Sequence, residues 1–248
     1  MNKKLQLLIS VAVIGICFSS CNQPVPTSKS VVISGKIFNL NHTKTYVNQF
    51  ITDADSNLNF RCVYQVDFYD SLKHFVKTNY VMLSVFNNRC SFDTSQYYIE
   101  WRTVKKENNQ FVEFPKYQSA STGVLSSRAE IFLHPIRQKE YKKLELAPFP
   151  YIVFDKEQWE FNFNIGDHYC TAGIYWTGNL YFRTSYQLLG EKKFMINQRL
   201  IPCQEVFATS ESALSHSELR FLYNCQYGFV RLCYINVDKT EMVFTLIE

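Results

Sequence analysis

The chain has 248 residues, a formal net charge of +4 and only 19% charged residues, while 46% of its residues are hydrophobic and 16% aromatic. These proportions exclude a disordered chain, a collagen-like fibre and a coiled coil, which need low hydrophobicity, abundant glycine and proline, or long charged repeats. The length provides a core for one large domain or for two small ones.

The N-terminal residues have the pattern of an export signal. Residues 1–4 carry two lysines, and an apolar stretch follows over residues 5–18. This stretch is shorter than the ~20 apolar residues that a membrane-spanning helix needs, and it has the length of a signal-peptide core. We therefore predict that residues 1–20 are a signal peptide.

The end of this segment, Phe18-Ser19-Ser20-Cys21, resembles the lipobox of bacterial lipoproteins. In that family the cysteine is lipidated and becomes the first residue of the mature chain. The sequence departs from the pattern at Phe18, where Leu, Val or Ile is usual. The resemblance implies that Cys21 carries the lipid anchor. Several acyl chains on one residue would hold the protein stably at a membrane. A plain secretory signal cleaved after Ser20 is the alternative.

The residues after Cys21 indicate a tether and then one domain. Residues 21–30 contain two prolines and no apolar periodicity, which is typical of a linker. We predict that the protein lies in the bacterial cell envelope. No acidic run follows Cys21, and this favours a position facing the periplasm; exposure at the cell surface is the alternative. Residues 31–248 are then a single mainly β domain, with a candidate subdivision near residue 95.

The first half of the domain contains clear strand patterns. Apolar residues alternate with polar ones over Leu58–Phe68 and Trp159–Ile165. Since neighbouring side chains of a strand point to opposite faces, each segment predicts a half-buried antiparallel strand. Strands at Tyr98–Lys105 and Gln110–Phe114 flank residues 107–109, which predict a hairpin turn.

Helix signals are few. Asp70–Lys77 has Asp70 as a candidate N-cap and apolar residues on one side. Arg137–Leu144 has the length of two helical turns, and Pro148 would stop it. Ser210–Ser217 fits either a loop or a single helical turn.

The second half reads as a series of strands. Gly178-Asn179 predicts a two-residue hairpin turn between strands at 173–177 and 180–187, because both residues tolerate positive φ. Further strands are predicted at Leu200–Thr209, Leu219–Asn224, Phe229–Asn236 and Met242–Ile247. The fold class is therefore mainly β, an antiparallel curved sheet or half-barrel with one to three short helices; a closed barrel and a sandwich remain alternatives.

Two stretches resemble known envelope proteins. From Tyr186 onward, the order of strands, with a turn at Gly190 and the run Tyr227-Gly228-Phe229-Val230, is similar to the end of periplasmic proteins with a lipoprotein-carrier-like half-barrel. Ile131–Arg137 together with Leu146–Pro150 resembles a segment of uncharacterised Bacteroidota-type envelope lipoproteins. The resemblance implies a curved sheet around an apolar concavity and no established reaction.

No catalytic signature is present in the sequence. Hydrolase, zinc-protease and nucleotide-binding motifs are missing, and no CxxC pair indicates a redox site or a zinc site. The nearest group is Asp167-His168-Tyr169-Cys170, for which a solvated strand end is the simpler interpretation. The six cysteines after Cys21 are predicted to be buried thiols with at most one or two bridges. We expect a protein that is not an enzyme and that holds neither a metal nor a cofactor.

Four residues are candidate ligand contacts. His134 and Arg137 follow a predicted strand and would lie at the rim of the sheet, where Arg can bind a carboxylate or a phosphate; pairing of Arg137 with an acid such as Glu140 is the alternative. Trp176 and Tyr181 flank a predicted turn. Aromatic residues on both strand faces suggest a second apolar surface for a ligand or a partner, and the alternative is a sheet that is buried on both sides.

These patterns lead to one hypothesis with two rivals. The first is a membrane-anchored, non-enzymatic envelope lipoprotein that binds a lipid, an acyl chain or a peptide in an apolar concavity. The alternative is a structural or protein-interaction module of the envelope, and the third hypothesis is an enzyme that uses His134, His168 or a cysteine. The lysine doublets are scattered along the chain, so we expect no nucleic-acid partner.

Overall fold

A computed structural model describes residues 58–89, 96–108, 110–113, 119–169 and 173–247 of the chain. The predicted signal peptide, the tether and Cys21 lie outside the described residues, as do Cys90 and Cys170. No helix within the described ranges is long and apolar enough to cross a membrane.

The described residues form a sheet of 13 strands. In chain order the strands are β1 (Leu58–Tyr69), β2 (Phe75–Arg89), β3 (Gln96–Glu107), β4 (Gln110–Glu113), β5 (Ser119–Ser126), β6 (Glu130–Leu133), β7 (Tyr151–Val153), β8 (Gln158–Gly166), β9 (Asn179–Ile196), β10 (Arg199–Glu211), β11 (His216–Asn224), β12 (Gly228–Ile235) and β13 (Glu241–Leu246). Two short 3₁₀ helices accompany them, Lys139–Leu146 and Asp167–Tyr169.

The strands follow one another around a barrel. Their order is β7-β6-β5-β3-β2-β1-β13-β12-β11-β10-β9-β8, every pair is antiparallel, and β4 pairs with β3 beside this path. Because β1 pairs with β13, the first and last strands lie side by side, and β7 and β8 are the two ends of the strand order. The right-handed twist of the sheet curls it into this nearly closed barrel. The predicted mainly β, curved antiparallel fold is confirmed.

The alternation predicted for the strands is also confirmed. In β8 the four predicted inward residues are 5–6% exposed, whereas Glu160 and Asn164 face solvent. A second apolar face occurs on β1–β3, where Val63, Met82 and Val104 pack together with Phe111 of β4. In this part of the barrel the second face is thus covered by the chain itself.

The predicted helix at Asp70–Lys77 is wrong, because residues 70–74 form the β1–β2 turn and residues 75–77 begin β2. Asp70 Oδ1 accepts hydrogen bonds from the backbone N–H groups of Leu72 (2.9 Å) and His74 (2.8 Å). Lys73 has a φ of 67°, which ends any helical path. An aspartate that caps a helix also closes a turn, and so Asp70 gave an ambiguous signal.

The other helix prediction is partly confirmed. Residues 139–146 form a 3₁₀ helix, in which the backbone N–H of Ala147 donates to Leu144 O at the C-terminal end. Residues 212–215, in contrast, form the β10–β11 loop.

Two predicted glycine turns differ from the structure. β8 and β9 are joined by residues 167–178, so Gly178-Asn179 is the end of a longer loop, fixed by a hydrogen bond from Gly178 N–H to Asp167 Oδ2 (2.8 Å). Gly190, with a φ of 115°, lies at a bulge inside β9. The chain reverses instead at Asn197 and Gln198, whose φ values are 47° and 63°.

Candidate functional site

The connection between β6 and β7, residues 134–150, lies inside the barrel, and we call it the plug. Its Tyr141 packs against Phe68 of β1 (5.5 Å between ring centroids) and Phe244 of β13 (6.0 Å). Its Phe149 stacks on Phe163 of β8 at 4.9 Å. These partners are inward-facing residues from different sides of the barrel, so the plug occupies the interior.

Aromatic rings continue this packing towards the open edge. Phe163 stacks on Phe182 (4.8 Å), and Trp159 stacks on Tyr186 (5.4 Å). Tyr151 of β7 meets Trp159 of β8 edge-to-face at 6.4 Å, which brings the two open edges together. Such ring pairs add to the free energy gained from burial alone. The high aromatic content of the chain is therefore used to fill the barrel.

Hydrogen bonds fasten the plug to the surrounding strands. The Tyr186 hydroxyl donates to Phe149 O (3.0 Å), and the Ser217 hydroxyl donates to Leu146 O (3.1 Å); both bonds are buried. Buried carbonyl groups need such donors, because an unpaired one costs about 1–3 kcal/mol. The plug is thus fixed to β9 and β11 through its own backbone.

Charged side chains of the 3₁₀ helix in the plug, Lys139–Leu146, bind the surrounding strands and turns. Lys143 Nζ bonds Asp238 (2.8 Å) and Thr240 (2.8 Å) in the β12–β13 turn. Burial opposes ionisation of Asp238, but the bonds from Lys143 and Thr240 outweigh it and keep the pKa of Asp238 below its ordinary value. Glu140 binds Lys77 and Asn79 of β2.

Three ionisable residues of the plug meet in the interior. Arg137 Nε donates to Glu145 Oε1 (2.6 Å), and Arg137 Nη2 lies 2.9 Å from His134 Nε2. His134 Nδ1 lies 2.9 Å from Pro135 O, which can only accept, so Nδ1 carries the proton and Nε2 accepts from Arg137. This arrangement requires a neutral imidazole.

The environment of His134 favours the same neutral form. Burial is the main cause that lowers the pKa of His134; Glu145 acts in the opposite direction and Arg137 lowers it further. The side chains of His134 and Glu145 are only 12% and 9% exposed, whereas Arg137 is 28% exposed. The arrangement orients side chains and pairs a buried charge, and it contains no activated nucleophile.

The lowered pKa of His134 predicts a loss of stability in acid. The unfolded chain takes up its proton near pH 6.5, and the folded chain does so only at lower pH. The stability contributed by neutral His134 is therefore complete above about pH 6.5 and is lost as the pH falls towards the folded pKa. Urea unfolding of His134→Gln between about pH 5.5 and 7.5 should show a flatter pH dependence than the wild type.

His216 provides a control of opposite sign. Burial lowers its pKa, but hydrogen bonds from His216 to Glu218 and Glu211 outweigh burial and raise it. Its contribution is therefore present below about pH 6.5 and is lost as the pH rises through the folded pKa. His216→Gln should steepen the loss in acid; equal slopes for the two variants would contradict the neutral state of His134.

The structure separates the four predicted contact residues. His134 lies in the interior with a side chain that is 12% exposed, Arg137 beside it is 28% exposed, and the acid that pairs with Arg137 is Glu145, not Glu140. Tyr181 is 61% exposed on the opposite face of β9 from buried Phe182. Trp176 lies in the β8–β9 loop, where its Nε1 donates to Ile165 O (3.3 Å). The four residues do not line one site, and their role in binding stays a prediction.

Local sequence patterns do not reveal the residues that matter most inside the barrel. Glu145, Tyr141 and Phe149 were not singled out, although the run Leu146–Pro150 is too apolar and proline-rich for an exposed loop. The narrow gap between the plug and the strands is lined by Trp101, Ile136, Leu144, Tyr234 and Phe244, among other apolar residues. It is too tight for a water molecule.

The described residues offer little reactive chemistry. No group of three potential metal ligands is found among them. Cys62, Cys203, Cys225 and Cys233 are free thiols. Burial raises the pKa of Cys62 and raises that of Cys203 to about 11, so both remain protonated and unreactive at neutral pH. Asp167 closes the β8–β9 loop, and Cys170 lies outside the described part.

The chain is similar to several solved structures of bacterial proteins. The hypothetical lipoprotein YmcC from Escherichia coli matches with 8% identity and a TM-score of 0.38, over 84% of this chain and 94% of YmcC. A Parabacteroides distasonis protein described as a lipoprotein matches with 12% identity and a TM-score of 0.42, over 75% of this chain and 93% of its own. A Bacteroides fragilis protein described as exported, with a YmcC-like fold, matches with 9% identity and a TM-score of 0.36, over 74% and 92%.

No family model matches the chain, and no curated protein matches it significantly.

Proposed function

We propose that the chain is a lipid-anchored, non-enzymatic module of the bacterial cell envelope that holds a partner protein on the periplasmic side. In this proposal residues 1–20 are removed, Cys21 carries the lipid, and residues 21–30 tether the domain of residues 31–248. The observation that supports it above all is the plug, which fills the barrel interior that a hydrophobic ligand would occupy.

The contacts of the plug oppose the ligand-binding alternative. Ile136, Tyr141, Leu144 and Leu146 are at most 2% exposed. Full burial of such a side chain contributes about 1.5–3 kcal/mol, so an acyl chain that entered the barrel would have to replace several of these contributions. It would also have to break the bonds from Tyr186 and Ser217 to the plug backbone. A rigid barrel that binds through its surface agrees better with this packing.

One end of the barrel displays a suitable surface, which we call the distal end. The β1–β2 turn exposes Leu72 (74%), Phe75 (60%) and Val76 (57%). β1 and β8 run in the same direction around the antiparallel meander, so the β8–β9 loop lies at this end too and contributes Tyr175, which is 75% exposed. Leu72, Phe75 and Val76 lie together on the β1–β2 hairpin, and an exposed apolar group of this kind is typical of protein interaction sites.

Crosslinking in cells tests this proposal. A photo-crosslinking amino acid at Phe75 or Tyr175 should give a discrete protein adduct that Leu72→Asp abolishes, because a buried charge opposes docking of an apolar surface. The same amino acid at Arg183, which is exposed on the barrel wall, serves as the control. Cys21→Ser should move the protein from the membrane fraction to the soluble fraction.

Two results would overturn the proposal. The first is stoichiometric lipid in the purified protein without any adduct from the distal end, which would favour the hydrophobic-ligand alternative. The second is an unchanged membrane fraction for Cys21→Ser, which would remove the anchor.

A further inference from the structure

Strands β9 and β10 extend beyond their neighbours as a two-stranded arm, residues 188–203. Pairing of β8 with β9 stops at Gln187, and pairing of β11 with β10 stops at Gln204. β9 and β10 pair with each other as far as Ile196 and Arg199. Since a strand advances ~3.3 Å per residue, the tip at Asn197-Gln198 lies on the order of 15 Å past the last β11 pair.

The arm carries exposed apolar residues at its tip. Met195 and Leu200 lie opposite each other in the β9–β10 register and are 57% and 56% exposed. Leu189, beside the bulge, is 43% exposed. Ile196 and Cys203 lie on the other face of the arm and are buried. Met195 and Leu200 take no part in the packing of that buried face. The tip therefore presents apolar area that the described residues do not cover.

The same tip is positively charged. Lys192, Lys193 and Arg199 oppose a single acid, Glu191, within the arm. Lys192 is paired with Glu205 at 3.0 Å, whereas Lys193 and Arg199 form no ion pair among the described residues. Lys193 shares the face of Met195. Apolar side chains flanked by basic ones are the usual composition of segments that lie in the interface of an anionic bilayer.

The arm also points to the end at which the chain enters the barrel. β1 is antiparallel to β13, and each following strand reverses direction, so β10 runs parallel to β1. The start of β10, at the arm tip, and the start of β1, at Leu58, therefore lie at the same end. The described part of the chain therefore enters the barrel, at Leu58, at the end where the arm tip lies.

We propose that the β9–β10 arm contacts the phospholipid surface of the membrane to which the chain is anchored. This inference rests on the proposed lipid anchor. Met195 and Leu200 enter the interfacial region of the bilayer, and Lys193, on the same face, binds the phosphates of anionic lipids. Arg199, opposite Ile196 on the other face, binds them from the tip of the arm. The contact keeps the distal end directed away from the membrane, where a partner protein can reach it.

Lipid crosslinking tests the arm directly. The full chain, lipidated in its host, carries a photo-crosslinking amino acid at Met195 or at Tyr181, and is reconstituted into vesicles of phosphatidylethanolamine and phosphatidylglycerol. Tyr181 is a matched control, because it lies on the same strand with similar exposure, 61%, at the opposite end of the barrel. We expect lipid adducts from Met195 and not from Tyr181. Lys193→Gln or Arg199→Gln should lower the adduct yield roughly fivefold, as should omission of phosphatidylglycerol.

The possible outcomes distinguish the proposal about the arm from the proposal of a lipid anchor. Equal yields from the two positions, a protein adduct in place of lipid, or no adduct while the chain floats with the vesicles would each overturn the arm proposal and leave the anchor intact. A chain that fails to float with the vesicles overturns the anchor, and this inference with it.

Discussion

Replacing Phe149 by alanine is expected to lower the free energy of unfolding by about 3–5 kcal/mol. Phe149 is 6% exposed, and its ring lies against Phe132 (5.5 Å), His134 (5.2 Å), Phe161 (6.3 Å) and Phe163 (4.9 Å). The cavity can collapse only in part, because Tyr186 holds the backbone of the plug at this residue. Urea denaturation at neutral pH measures the change.

Phe75 provides a matched control for this substitution. It is a phenylalanine in the same sheet, but it is 60% exposed on the β1–β2 hairpin. Phe75→Ala should therefore change the free energy of unfolding by less than about 0.5 kcal/mol. Equal effects of the two substitutions would show that the plug is not packed inside the barrel.

The same variant distinguishes a plugged barrel from a ligand-binding one. The space left by the Phe149 ring is lined by aromatic carbon, and apolar cavities of this kind stay dry and bind small aromatic molecules. Benzene should therefore raise the melting temperature of Phe149→Ala and leave the wild type unchanged. A wild-type protein that gained as much stability from benzene would favour an open apolar cavity, as in the hydrophobic-ligand alternative.

The sequence predicts the strands well because alternation is a local property. The apolar positions of Leu58–Phe68 and Trp159–Ile165 repeat every second residue, and burial against one core is enough to select that period. Most of the pairing follows from chain order, since most strands pair with a neighbour in the chain; β1 with β13 and β3 with β5 are exceptions. These two rules suffice for a curved antiparallel sheet.

The plug and the turns depend on contacts that no local pattern reveals. Gly190 tolerates positive φ equally well in a turn and in a bulge, and the register against Glu205 selects the bulge. His134 follows a strand, and in the sequence a rim position and an interior position look the same. Only the fixing of residues 134–150 by distant strands places Arg137 beside Glu145. Long-range packing decides these features. The sequence therefore predicts the curved sheet but not the plug that fills it.

Removing the carboxylate of Glu145 is expected to cost about 2–3 kcal/mol. Glu145→Gln removes the negative charge that faces the Arg137 guanidinium at 2.6 Å, and so leaves a partly buried positive charge without its counter-charge. Loss of one member of a buried ion pair typically costs about 3–5 kcal/mol, and we expect less here because Arg137 keeps 28% of its side-chain exposure and some hydration. Urea denaturation at neutral pH measures this change as well.

Replacing both charges should recover most of that loss. Arg137→Met with Glu145→Leu leaves no buried charge, and pairs replaced in this way by apolar residues are often as stable as the original. His134 Nε2 then lacks its donor, which costs about 1 kcal/mol or somewhat more. The pairwise coupling energy between positions 137 and 145 is therefore expected to be large in a double-mutant cycle.

Glu140 is the control that decides between the two possible partners of Arg137. It is the acid nearest to Arg137 in the sequence, but in the structure it binds Lys77 and Asn79, with a side chain that is 37% exposed. Glu140→Gln should cost no more than about 1 kcal/mol and should show no coupling to Arg137→Met. Coupling at 140 and none at 145 would mean that the charged residues lie outside the barrel. The plug would then not fill the barrel, and the hydrophobic-ligand alternative would be favoured over a surface-binding module.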